Sequence, residues 1–183
     1  MARILGYIAA SLDGYIAGPN DSLDWLFKYD TTAFGEDDPA LFLARIRTLV
    51  MGRGTYDWLI REGGPWPYEG KRVYVVTSRA LAAPEGVDII ARSDIDALIA
   101  ELRALPDGDA WMLGGGRLQM AFMERGALDE IEIYVIPELL GGGVPLFPPT
   151  GFAATVELVS ARPSGPGCVR LHYRLSSSAA GAR

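Results

Sequence analysis

Three short stretches set glycine or a hydroxyl beside an arginine: Gly52-Arg53-Gly54-Thr55, Thr77-Ser78-Arg79 and Gly114-Gly115-Gly116-Arg117. Each follows an apolar run, TLVM, VYVV or WML. Glycine removes the side chain, so a ligand can reach the main chain, and it also tolerates positive φ. Hydroxyl and guanidinium groups add donors, and the planar guanidinium fork matches phosphate oxygens. The chemistry this set could do is the binding of a phosphorylated anion. For the triple glycine three reasons compete: a flexible joint, a tight strand-to-helix turn, and a surface where a diphosphate meets bare backbone. The repetition of the pattern favours the last. Gly114-x-Gly116-x-x-Gln119 lacks the third glycine of the dinucleotide fingerprint, and no Lys-Ser/Thr follows as in a phosphate-binding loop.

Other chemistries are poorly served. The chain has one histidine and one cysteine, His172 and Cys168, too few for a typical zinc site, so no metal site is expected. Cys168 reads as a plain thiol entering a strand. No Ser-His-Asp arrangement is signalled. The 183 residues are 49% hydrophobic, with 17 Lys+Arg against 23 Asp+Glu and a net charge of -6. That composition suits one domain with a full core, read over 1–176, with 177–183 as a frayed tail. No basic run marks a nucleic-acid partner, and no apolar run reaches the length of a membrane span. The first apolar segment reads as a strand, not a signal peptide. A single thiol fits the cytoplasm.

The chemistry-bearing stretches must be positioned by the elements between them. RILGYIAAS reads as a strand, and DGYIAGPNDS as a loop punctuated by glycine and proline. LDWLFKYD reads as a short helical turn. Asp38 followed by Pro39 starts a helix whose buried stripe, Phe42, Ile46 and Leu49, runs into the strand TLVMG. TYDWLIRE is the next helix, and KRVYVVTS and VDIIA are strands. Ser93 with Asp96 forms a capping pattern before a helix carrying Ile95, Leu98, Ile99 and Leu102. AWMLGG is a strand, RLQMAFMERG a helix stopped by Gly126, and DEIEIYVIP a strand. TVELVSAR and GCVRLHYRL close the chain. In the last, Val169, Leu171, Tyr173 and Leu175 form an apolar face, while Arg170, His172 and Arg174 face solvent. A second glycine run, Gly141 to Gly143, needs only a structural turn or bulge. Alternating strands and helices predict an α/β sheet, mainly parallel, with antiparallel strands at its helix-free end. In such sheets ligands bind outside the carboxyl ends of the strands, where all three stretches fall.

In this order the motifs IAASLDGYIA, DWL, VMGRGTYDWL, VVTSR and WMLGGGRLQMAFMERGALDEIEIYVIPELLGGGVPLF span nearly the whole chain. The chain resembles the dihydrofolate reductase superfamily. It is closest to the branch that holds the reductase domain of bacterial riboflavin biosynthesis. The resemblance implies an eight-stranded mixed sheet, bound NADPH, a small-molecule substrate and a homodimer. It places Ala9 and Ile16 at the nicotinamide end. Gly52, Arg53, Gly54 and Thr55 line the adenosine and phosphate region. Ser78 and Arg79 hold the 2′-phosphate, with Arg92 nearby, and Gly115, Gly116, Arg117 and Leu118 meet the diphosphate.

The implied reaction is hydride transfer to a small, heterocyclic or otherwise conjugated electrophile. It needs a proton path, for which Asp13 and Asp30 are the candidates. A carboxyl serves as an acid near neutral pH only where burial raises its pKa. Asp13 reads equally as a turn former before Gly14, and Asp30 as a loop charge. Two alternatives accompany this reading: the riboflavin-pathway reduction of 5-amino-6-ribosylaminouracil phosphate, and a nucleotide-binding sensor without catalysis.

Overall fold

Strand β1 (Ile4–Ser11) is apolar at nearly every position, the pattern of a strand covered on both faces. Along the chain follow β2 (Tyr15–Ala17), α1 (Pro39–Arg45), β3 (Thr48–Gly52), α2 (Arg53–Glu62), β4 (Arg72–Val76) and β5 (Ile89–Arg92). The second half holds α3 (Ile95–Arg103), β6 (Ala110–Gly114), α4 (Gly116–Glu124), β7 (Glu130–Ile136), β8 (Val144–Pro145), β9 (Val156–Ser164) and β10 (Cys168–Leu175). The computed structural model describes residues 1–106 and 108–175. The segment read as a frayed tail lies outside them.

Eight strands form one sheet in the order β5-β4-β3-β6-β1-β7-β10-β9. From β5 to β7 all neighbours are parallel, and β10 and β9 run antiparallel. The mixed α/β sheet with antiparallel C-terminal strands is the expected architecture. One apolar cluster packs α3 and α4 on one face, centred on Ile4, Val50, Leu98, Met112 and Phe122. The other packs α1 and α2 on the opposite face, around Tyr7, Phe42, Leu49, Met51 and Tyr56.

The helix starts follow from local chemistry. The Asp38 carboxylate accepts from Ala40 N at 2.9 Å, with Pro39 at the first helical position. For α3 the cap is Asp94 rather than the Ser93 of the sequence pattern. Asp94 accepts from the N–H groups of both Asp96 and Ala97, which satisfies two orphan donors at once. Gly126 follows α4 at φ 60°, as its stop-signal role requires.

Two expectations change. The loop read over 13–22 contains β2, which pairs with β8 through Tyr15↔Pro145 and Ala17↔Val144. The flanking glycines hide so short a strand, and its partner is remote in sequence. The second glycine run is more than a turn. At Gly143, φ is +127° and an added Cβ would collide with the Ala17 carbonyl and the Gly18 backbone.

The last strand also departs from its pattern. Its charged face is partly covered: the Arg170 and His172 side chains are each only 15% exposed and Arg174 is half exposed, while on the apolar face Leu171, Tyr173 and Leu175 pack against the core and Val169 is 39% exposed. The register sets Arg170 beside Tyr134 and His172 beside Glu132. Arg170 bonds Glu132 at 2.8 Å, and His172 lies 3.2 Å from Glu130. Charge pairing, not solvent, satisfies this face.

The close approach at Gly143 gives a test. Gly143→Ala should destabilise the fold by about 2–3 kcal/mol in urea unfolding, from overpacking and strain. Gly142→Ala, whose Cβ meets open space, should stay within about 0.5 kcal/mol of the parent.

Candidate active site

All parallel strands end on one edge of the sheet, and β6 lies between β3 and β1. Met51 pairs with Gly114 and Gly52 with Val76, so the three stretches singled out above lie side by side. The chain runs outward from β3 to β4 and β5, then returns to insert β6. This is the topological switch at which open α/β sheets bind ligands.

At this seam two helices begin. Gly52 is the N-cap of α2 and Gly115 the N-cap of α4, and neither helix has a side-chain cap. Helix starts leave N–H groups unpaired and carry the positive end of the helix dipole. A Cβ on Gly52 would stand 3.9 Å from Gly114 O and 4.0 Å from Gly115 N. One on Gly115 would meet only Thr55 Oγ1, at 3.8 Å, and one on Gly54 would meet nothing within 4 Å. The peptide between Gly114 and Gly115 is cis. Two uncapped helix starts therefore face one cradle, with the Thr55 hydroxyl beside it.

The remaining predicted residues divide. Gly116 is buried, and its Cβ would lie 2.6 Å from Pro145 O and 2.8 Å from Leu146 O. The packing of α4 on the β8 segment demands that glycine, whatever binds at the edge. Leu118 belongs to the core beneath α4, and Arg117 is exposed at the first turn. Ser78 and Arg79 are exposed just beyond β4, with the Arg79 N–H bonded to Thr77 Oγ1. Arg53 is engaged: Nε bonds Asp57 Oδ1 at 2.6 Å and Nη1 bonds the Ala80 carbonyl at 3.1 Å. It braces the loop that carries Ser78 and Arg79. Arg92 is held bidentate by Glu101, at 2.8 and 3.0 Å. Ala9 packs in the α1–α2 cluster and Ile16 in the α3–α4 cluster, so they approach the edge from opposite faces of the sheet.

Neither acid candidate meets the condition of a raised pKa. Asp13 accepts from Ser11 Oγ at 2.6 Å, from Gly141 N at 2.7 Å and from Leu140 N at 3.1 Å. The Ser11 hydroxyl first, then the Gly141 N–H, hold its carboxyl below the usual aspartate range. Asp30 caps the 3-10 segment Thr31–Asp37, accepting from Thr32 Oγ1 and N. Those bonds lower its pKa too. Both carboxylates are thus held as anions: Asp13 organises the 138–141 turn, and Asp30 a helix start.

Among the described residues the buried carboxylate is Asp37, which sequence patterns left unmarked. It is 6% exposed and bonds Arg162 Nη2 and Ser164 Oγ, both at 2.7 Å. Tyr134, next to Ala9 in the β1–β7 register, has its hydroxyl 3.5 Å from Asp37 Oδ1. Burial pushes the Tyr134 phenol up to about 12. Burial likewise raises Tyr7, whose hydroxyl reaches the Asp37 carbonyl at 3.4 Å. Asp37 lies beside the capping Asp38, and the partners of its carboxylate lie more than 90 residues away, so no local signal reveals it.

Two shallow depressions lie elsewhere. One, about 330 Å³, sits between the end of α2 and the 82–84 turn. The other, about 530 Å³, sits at the amino ends of β3 and β4. Neither includes the glycine cradle, and neither stands at the strand ends where this topology binds ligands. Among the described residues no group of His, Cys, Asp and Glu could hold a metal, and no helix is long and apolar enough to cross a membrane.

The sequence model of the RibD C-terminal domain matches residues 4–170, and the chain belongs to that family. It is 32% identical to YwjB of Bacillus subtilis (strain 168), over 91% of this chain and 94% of that one. A crystal structure from Shewanella sp. PV-4, provisionally named a riboflavin biosynthesis protein, superposes with a TM-score of 0.79 at 30% identity, covering 96% and 99% of the two chains. The dihydrofolate reductase of Enterococcus faecalis, solved in complex with NADP(H), shares the fold at a TM-score of 0.68 and 18% identity, covering 94% and 95%. Family and neighbours are of the RibD and dihydrofolate reductase type.

The Asp13 bonds predict an acid dependence. Its pKa is lower folded than the ordinary 3.8, so the stabilisation is complete above that value. It is lost as pH falls through the lower, folded value. Asp13→Asn should therefore be less stable than the parent at neutral pH, with the gap closing in acid below the ordinary range. Melting curves across pH test this, and a gap that persists in acid contradicts it.

Proposed function

We propose that this protein is an NADPH-dependent reductase that delivers hydride to a small, conjugated, electrophilic substrate. The observation that carries the reading is the cradle at the β3–β6 seam. Two uncapped helix N-termini meet there over glycines whose missing side chains leave open space. A diphosphate fits that donor set, because unpaired N–H groups and the dipole ends both favour negative charge. Thr55 offers a hydroxyl beside it. Ser78 and Arg79, exposed at the neighbouring strand end, supply what a 2′-phosphate needs, with Arg53 bracing their loop. Ala9 and Ile16 would border the nicotinamide from the two faces of the sheet. The bound cofactor would supply the hydride, and the protein would orient it and exclude competing reactions.

In this proposal Asp13 and Asp30 shape the edge as anions. Family membership keeps one specific substrate in view, 5-amino-6-ribosylaminouracil phosphate, which would require a second phosphate seat on the substrate side. A cytoplasmic homodimer completes the reading. Leu158 and Val169, exposed at 55% and 39% on the sheet-edge hairpin, support self-association, which sedimentation would measure.

Calorimetry tests the cradle. Arg79→Ala should weaken NADPH about ten- to a hundredfold, the worth of a charge-assisted bond, and leave NADH within about twofold. Equal loss for both nucleotides would contradict the placement of the 2′-phosphate. Gly115→Val should leave the fold intact, since only Thr55 stands near its Cβ, yet abolish binding of both nucleotides. Unchanged affinity in that variant, or no heat of binding in the parent protein, would overturn the proposal.

A further inference from the structure

The bonding of Asp37 exceeds anything a turn requires. Its Oδ1 meets Arg162 Nη2 at 2.7 Å, Tyr134 OH at 3.5 Å and Arg170 Nε at 3.6 Å, and its Oδ2 meets Ser164 Oγ at 2.7 Å. The groups come from three different strands, β7, β9 and β10. Three of them stand in one cross-strand row, Ala9↔Tyr134, Tyr134↔Arg170 and Arg170↔Arg162, while Ser164 lies two residues further along β9, opposite Cys168. The row runs outward from Ala9 on the face covered by α1. Asp37 reaches it on that same face, at the end of the segment joining β2 to α1. The Phe34 ring of that segment packs over Gly165, where a Cβ would lie only 2.9 Å from it.

The charges decide what the place is. Two guanidiniums, Arg162 and Arg170, stand against two carboxylates, Asp37 and Glu132, and a third, the exposed Arg45, lies 3.9 Å from Glu132. Glu132 is committed to Arg170, at 2.9 Å to Nε and 2.8 Å to Nη2. Take away the Asp37 carboxylate, and unbalanced positive charge with converging donors is left at a partly buried spot. Such a spot binds small anions, because an unpaired buried charge is costly. The Arg162 side chain is 43% exposed, which leaves a way in from solvent.

We propose that Arg162, Ser164, Arg170 and Tyr134 form an anion seat that the chain fills with its own Asp37 carboxylate. The seat is thereby closed to a phosphate or carboxylate carried by a ligand. Resting on the reductase reading, this names the substrate class: the part of the substrate lying along the Ala9–Tyr134 row is uncharged. A phosphorylated substrate would find the arginines of this wall already neutralised.

The test is rescue by an external anion. In Asp37→Ala the seat is vacated, and formate, acetate or inorganic phosphate should bind it. The melting temperature of the variant should fall below the parent's. It should then rise saturably, by about 3–6 °C at formate concentrations well above its Kd. Chloride at equal ionic strength should not reproduce the rise, and the parent should show none. The double variant Asp37→Ala/Arg162→Met should lose the rescue. Should Asp37→Ala fold only when refolded in formate, the result is the same in stronger form. The proposal is overturned if the variant folds with no saturable response to any of the three anions, or folds in none of them. A parent response equal to the variant's, or a rescue that survives loss of Arg162, would also overturn it. NADPH calorimetry on the same samples separates this idea from the reductase reading. Anion rescue without nucleotide binding by the parent sinks only the latter, and nucleotide binding without rescue sinks only the former.

Discussion

The insertion of β6 between β3 and β1 is the constraint on which the candidate site depends. A parallel strand added there must end level with its neighbours. Two strand-to-helix turns are thus forced together at the seam, Gly52 into α2 and Gly115 into α4. Glycine at both turns leaves the space between them open, and both helix starts, without side-chain caps, lie at the same edge. Electrostatic attraction for an anion is then a consequence of topology, supplied by main chain rather than by a set of charged side chains. In the proposed reading the side chains add selectivity: Thr55 beside the cradle, and Ser78 and Arg79 one strand further out.

A different principle organises the opposite end of the sheet. Beyond β7, cross-strand ion pairs line the α1-side face of β10. Glu130 and Glu132 on β7 meet His172, Arg170 and Arg174 on β10. Asp37 closes the array from above. A buried ion pair is a weak source of net stability but a strong source of register. Here it fixes where the 31–38 segment sits over the strands. Further along, Lys28 and Tyr29 bond Glu138, and Asp13 gathers the N–H groups of Leu140 and Gly141. The wall facing the end of β1 is therefore stitched at several points to parts of the chain more than 100 residues away.

Much of this architecture is legible in the amino-acid sequence, for reasons that are local. Apolar runs broken by glycine mark β3, β4 and β6. Asp38-Pro39 starts α1, and Gly126 stops α4, because capping and φ preferences act within a few residues. The Gly52-to-Thr55, Ser78-Arg79 and Gly115 stretches could be grouped because each sits at the same point of the same repeating unit. The failures have equally physical origins. β2 is three residues long and exists only because β8 pairs with it. Gly116 and Gly143 look like their neighbours in sequence but answer to packing against Pro145 and Ala17. Arg53 and Arg92 read as free cations until Asp57 and Glu101 are found beside them.

By itself, then, the sequence determined the alternation of strands and helices, the family to which the chain belongs, and the glycine-marked strand ends that the sheet sets side by side. These rest on periodicity, capping and glycine, which act between near neighbours. Only the tertiary structure decided which carboxylates are buried and which charges are already paired. Asp13 and Asp30 stay exposed anions, while Asp37 disappears beneath the hairpin that carries Arg162 and Ser164. Burial and pairing depend on partners brought together by the sheet from distant parts of the chain, and no local pattern encodes that distance.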